Sequence, residues 1–129
     1  RLVMPGVVVL EGPAFGSYDE AGRQLRGLAD RLAERGPLAE CPLIVVVDDS
    51  GFAAESLRNF LWVTFTRSNP SHDIYGVGEA YAFKHWGCDN VIIDARSKPH
   101  HAPPLLPDPA VEKRIDRLFA RGGSLSGIL

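Results

Sequence analysis

Two polar stretches concentrate the groups that could do chemistry. Residues 66–76 carry Arg67, Asn69, Ser71, His72 and Asp73, and residues 94–103 carry Asp94, Arg96, Ser97, Lys98, Pro99, His100 and His101, so that three of the four histidines fall in these segments. A guanidinium placed just after a buried helix or strand presents a planar fork that fixes a carboxylate or phosphate. Arg67 and Arg96 therefore read either as ligand-binding groups or as internal ion pairs with Asp73 or Asp94 that tie the loops together. Pro70 drives Asn69 out of the helical region and ends any helix running through residues 60–66, and Pro99, Pro103 and Pro104 hold the second stretch extended. Both are expected to be ordered surface loops on a scaffold.

Other arrangements are weaker. Glu11, Asp48, Asp49 and Asp94 each follow an apolar run, and acids from several strand ends suit Mg²⁺ when substrate and water complete the shell. The same acids serve equally to cap turns and helices. His100 and His101 are adjacent and flanked by prolines, so they point to different sides and chelate one ion poorly with His72, His85 or Cys88. Serine, histidine and aspartate are present without a nucleophile elbow. The expectation is no metal site and no catalytic set within the chain.

Composition narrows the partners. The chain has 129 residues, 45% hydrophobic and 23% charged, with a net charge of -2, which is one ordinary globule large enough to fold without staples. That charge argues against a general nucleic-acid or acidic-membrane surface. The two cysteines, Cys41 and Cys88, stand far from any CxxC spacing, so reduced thiols in a cytoplasmic protein are expected. No apolar run is long enough to span a bilayer. Arg1 in place of methionine suggests a piece of something longer.

The elements that must position the polar stretches follow from periodicity. Residues 7–10 and 43–47 are β-branched runs that read as buried parallel strands, and residues 91–93 read as another ending at Asp94. Between the first two, Ser17 and Glu20 fit a capping box, Leu25, Leu28, Ala29 and Leu32 make a helical stripe, and Gly36-Pro37 stops it. The next helix, residues 53–65, has Leu57, Phe60, Leu61 and Thr64 on one face, while Trp62, Val63 and Phe65 cover other sides. Residues 73–75 suggest a short strand, and residues 79–86 suit neither period, which favours irregular chain or one helical turn. Asp108 and Pro109 open a last helix with Val111, Ile115, Leu118 and Phe119 as its stripe and Gly122-Gly123 as its stop. Alternating strands and helices predict an α/β single domain over residues 1–129, with a small, mostly parallel or mixed sheet and flanking helices. Ligands gather beyond the carboxyl ends of such strands.

Several of these residues also carry a resemblance. Val45-Val46-Val47-Asp48-Asp49, then Phe60-Leu61-Trp62-Val63-Thr64-Phe65-Thr66-Arg67-Ser68-Asn69-Pro70 and Asp73, then Val91-Ile92-Ile93-Asp94-Ala95-Arg96 and the helix after Asp108, resemble in order the C-terminal domain of UbiD-type decarboxylases. The resemblance spans residues 5–119. It implies an oligomerisation and substrate-capping domain of a reversible decarboxylase acting on an aromatic or unsaturated carboxylic acid. It further implies that prenylated FMN, a divalent metal (Mn²⁺ or Mg²⁺) and K⁺ bind elsewhere in a longer parent, with no cofactor in this chain. Arg96, Ser97, Lys98 and Pro99 would then face the substrate. Arg67, Asp73 and Asp94 would fix the loops. Phe60, Trp62, Val63 and Phe65 would form the interface of a homo-oligomer, and the cofactor-binding remainder of the enzyme would be a partner. A stand-alone assembly subunit of a carboxylase complex is the alternative. A second is a Mg²⁺-dependent nucleic-acid domain, since Glu11-Gly12 and Asp48-Asp49 faintly resemble a Toprim-type site.

Overall fold

The structure, a computed structural model, describes residues 1–36, 38–101 and 108–128. Its centre is the pair of β-branched runs. Strand β2 (Val7–Glu11) lies parallel to β3 (Leu43–Val47), and β3 lies parallel to β7 (Asn90–Asp94), with Val9 opposite Val45 and Val45 opposite Ile93. The intervening helix α1 (Tyr18–Arg35) makes the crossover that parallel neighbours require. The two edges are antiparallel: β1 (Leu2–Met4) against β2, and β4 (Ile74–Val77) against β7. The sheet order is thus β1-β2-β3-β7-β4, the mixed α/β arrangement expected from the alternation of elements.

Side-chain alternation splits the core between the two faces of the sheet. Ile44, Val46 and Ile92 pack with Leu25, Ala29, Tyr75 and Val77 beneath α1. Val9, Val45 and Val47 pack with Ala53, Phe60, Val63 and Ala95 beneath α2 (Ser50–Glu55) and α3 (Leu57–Arg67). Ser17 caps α1 by accepting the Glu20 N–H at 3.2 Å, but Glu20 accepts from Gln24 instead of completing the box. The buried Asn90 side chain clamps the return from α1, bonding the Leu38 N–H, the Leu38 carbonyl and the Cys41 carbonyl.

Four expectations change. The helix expected over residues 53–65 is two helices, because Ser56 is extended (φ -152°) and caps a fresh start. Within α3 the buried face is Phe60, Val63 and Thr64, and not the expected Leu57, Phe60, Leu61 and Thr64, so Leu57, Leu61, Trp62 and Phe65 are exposed. The strand after Asp73 is longer than expected and antiparallel. Residues 79–86, expected to be irregular or helical, contain a hairpin of β5 (Ala80–Ala82) and β6 (His85–Gly87), turned at Phe83 with φ 56°. Helix α4 (Pro109–Phe119) is capped by Asp108 as expected, yet Val111, Ile115, Leu118 and Phe119 remain exposed among the described residues. No described helix is long and apolar enough to cross a membrane.

Candidate functional site

The carboxyl ends of β2, β3 and β7 bring Glu11, Asp48 and Asp94 to one edge, and each acid meets a donor from another residue of the loops there. Glu11 accepts from the Ser50 hydroxyl at 3.0 Å and its N–H at 3.3 Å. Asp48 accepts from Arg67 Nη1 at 2.9 Å and from the Ser97 N–H at 2.8 Å, which joins α3 to the loop after β7. Asp49 caps α2 through the Phe52 N–H.

Asp94 is fully buried and holds Arg96 through both oxygens, from Nε and Nη2 at 2.8 Å each. Nη1 of Arg96 donates to the Pro13 carbonyl at 2.9 Å and to Gln24 Oε1 at 2.8 Å, so one guanidinium pins three segments. The hydrogen bond to Asp94 outweighs burial and raises the Arg96 pKa above its ordinary value. Lys98 lies beside it with its ammonium inside a ring of carbonyls, those of Arg67 (2.9 Å), Asp94 (3.0 Å) and Arg96 (3.2 Å), and with Asp73 Oδ2 at 3.3 Å. The Phe15 ring closes the top, 6.0 Å from the Arg96 guanidinium carbon and 5.5 Å from Lys98 Nζ.

This geometry sorts the residues singled out in the sequence. Arg96 and Lys98, expected to face a substrate, are only 1% and 4% exposed and donate to internal acceptors, whereas Ser97 and Pro99 beside them are exposed. Arg67 pairs with Asp48, not with Asp73 or Asp94. Asp73 pairs with Lys98 and also accepts the Asn69 N–H at 2.6 Å, so it fixes the turn after α3. Its second oxygen, Oδ1, is buried without a partner among the described residues, as is Thr64 Oγ1. Of the four expected interface residues, Trp62 and Phe65 are exposed, with Arg67 over the Trp62 ring at 5.3 Å. Phe60 and Val63 belong to the core under α3, which corrects their assignment to an outer surface. His100 and His101, expected to point to different sides, lie against each other, their rings edge to face with centroids 4.5 Å apart; His101 Nδ1 accepts the Lys98 N–H, and His100 stacks toward Tyr18 at 6.2 Å. Tyr18, Phe15 and Gln24 belong to this assembly and gave no signal in the sequence, because their partners lie far along the chain.

The arrangement therefore locks a loop. Among the described residues no group of three or more histidine, cysteine or acidic side chains is placed to hold a metal ion. Glu11 and Asp48 each accept internal donors through one oxygen, Oε2 and Oδ2, so both serve to tie the loops at this edge.

No family model matches the chain. It is 29% identical over 79 residues, 60% of its length, to a protein of Chlamydia pneumoniae named as a subunit of 4-hydroxybenzoate decarboxylase. It is 32% identical over 79 residues to an uncharacterised protein of Chlamydia trachomatis, and 31% over 85 residues to one of Chlamydia muridarum. The chain spans about 14% of the length of the first two relatives and 15% of the third. Among solved structures it is similar to a chain of the vanillic acid decarboxylase of Sedimentibacter hydroxybenzoicus in its open form. That overlap has a TM-score of 0.48 and 18% identity and covers 85% of this chain and 25% of the other.

Proposed function

We propose that this chain is a UbiD-type C-terminal domain that assembles a reversible decarboxylase and closes over its substrate, while the reacting groups come from the rest of the longer protein. The observation that carries the reading is a contrast on the surface. The ionic groups beyond the parallel strands satisfy one another, while Leu57, Leu61, Trp62 and Phe65 stand uncovered along α3. An apolar face of that kind on a well-packed fold is what a second copy covers. The relative named as a decarboxylase subunit supports the reaction class, and an aromatic or unsaturated carboxylic acid is the substrate class that goes with it.

In this reading Arg96 and Lys98 shape the loop, and Ser97 and Pro99 are its face toward the substrate. Prenylated FMN, Mn²⁺ or Mg²⁺, and K⁺ are assigned elsewhere in this reading, because among the described residues no group of three or more histidine, cysteine or acidic side chains is placed to hold a divalent ion and the carbonyl ring around Lys98 is filled by its ammonium. They belong to the longer protein. A dedicated assembly subunit that binds such an enzyme in trans is the variant of the same idea. The test compares the chain alone with the longer protein, each given prenylated FMN, Mn²⁺ and 4-hydroxybenzoate. Release of CO₂ only by the longer protein is expected, and release by the chain alone would overturn the reading.

A further inference from the structure

Most cations near the strand ends are engaged internally, but two arginines on α1 are not. Arg23 and Arg26 are three residues apart on one helix face, and neither takes part in the ion pairs of the described residues, which join Arg67 to Asp48, Arg96 to Asp94 and Lys98 to Asp73. They line an open pocket of about 490 Å³ between α1 and the 71–75 segment, opposite Ser71, His72 and Tyr75 and beside Tyr18. Its wall contains one carboxylate, Asp19.

We infer that this pocket binds a small oxyanion, the carboxylate or phosphate group of a low-molecular-weight ligand. Arg23 and Arg26 supply planar forks suited to two oxygens. Ser71 Oγ and His72 Nδ1 of the wall bond each other at 2.6 Å, and among the described residues neither the Tyr18 nor the Tyr75 hydroxyl has a hydrogen-bond partner. Burial raises the pKa of both phenols, helped by Asp73 and then Asp94 at Tyr18, and by Asp94 and then Asp73 at Tyr75, where Arg26 and Arg96 oppose the rise, so each keeps its proton at neutral pH. Tyr75 is held firmly, since its ring belongs to the core beneath α1. Gly22 forms the floor: a Cβ built there has only the Tyr75 hydroxyl within 4 Å, at 3.9 Å, so the space above it is open. An oxyanion could sit here whether or not the chain serves a decarboxylase.

Titration calorimetry on the full 129-residue chain, with inorganic phosphate and with benzoate at ionic strength fixed by KCl, tests it. Saturable binding of at least one probe is expected. Tighter phosphate binding would mark a phosphate ester as the ligand, and tighter benzoate binding a carboxylic acid. Arg23→Gln and Arg26→Gln should each weaken binding about tenfold or more without changing Tm. Arg35→Gln, on the same helix outside the pocket, should not weaken it. Gly22→Leu fills the pocket without removing a donor and should abolish binding. Absence of binding by both probes, equal losses with Arg35→Gln, or intact binding in Gly22→Leu would each overturn the inference.

Discussion

Arg96 decides whether the loop after β7 is chemical or structural, and its partners favour structure. Its fork is closed by a buried carboxylate, and its remaining Nη1 donor holds the Pro13 segment and α1. Removing one member of such a pair strands the other charge without solvent, at a cost of about 3–5 kcal/mol. Arg96→Ala should therefore lower Tm by on the order of 10–20 °C, and Arg96→Lys should restore little of it, since an ammonium cannot make the two-pronged contact. A melting temperature unchanged in Arg96→Ala, with substrate use impaired, would return the residue to a substrate role. His101 offers a pH test of the same loop. Burial, then the nearby charges of His100 and Lys98, push its pKa below the usual imidazole value, and its Nδ1 accepts the Lys98 N–H only when unprotonated. The unfolded chain thus takes up the proton first as pH falls. The stabilisation is complete above about pH 6.5 and is lost as pH falls through the lower folded value. Melting curves from about pH 7.5 to about pH 5, spanning the ordinary imidazole range, should show a fall that His101→Gln flattens. The sequence marked Arg67, Asp73, Asp94 and Arg96 as polar groups needing partners. It could not show that Arg96 reaches Gln24 and Pro13, because such pairing is set by tertiary distance and leaves no local spacing.

At the scale of elements, legibility followed signal strength. The parallel strands announced themselves as continuous β-branched runs, α1 through its Ser17 cap and Gly36 stop, and α4 through its Asp108 cap, although α4 ends at Phe119, before the expected Gly122-Gly123 stop. Strand β1 has three residues, too few to show a period. The hairpin β5–β6 was hidden because its turn rests on Phe83 with φ 56°, where a bulky side chain replaces the glycine or asparagine that normally signals such a turn. What seats the hairpin is Gly76 on β4. A Cβ there would lie 2.5 Å from Glu79 Cγ and 2.8 Å from both Cys88 Cβ and Trp86 Cζ2. Gly76→Ala should cost about 1–3 kcal/mol by overpacking and should release the hairpin from β4. Amide hydrogen exchange would show faster exchange across residues 80–87 while β3 and β7 stay protected. Unchanged protection would mean that the hairpin does not depend on that close approach.

For the whole molecule, the question is what covers the apolar surface that the fold leaves outside. Leu57, Leu61 and Phe65 recur at a spacing of four along α3 with Trp62 beside them, and Phe65 is 73% exposed although the opposite face of the same helix is core. The sequence showed a helix too apolar for one buried side but could not show which side faced outward, because α3 carries large apolar residues on both sides and its periodicity favours neither. Trp62 and Phe65 can be changed without touching the core, so their replacement separates assembly from folding. Sedimentation velocity over a range of concentrations, on the wild type and on a Trp62→Gln, Phe65→Glu double variant, is the most direct measurement of the claim that this face joins copies of the chain. The account predicts a wild type whose mass rises with concentration and a variant that stays monomeric with an unchanged Tm. Equal masses for the two proteins at every concentration would contradict it.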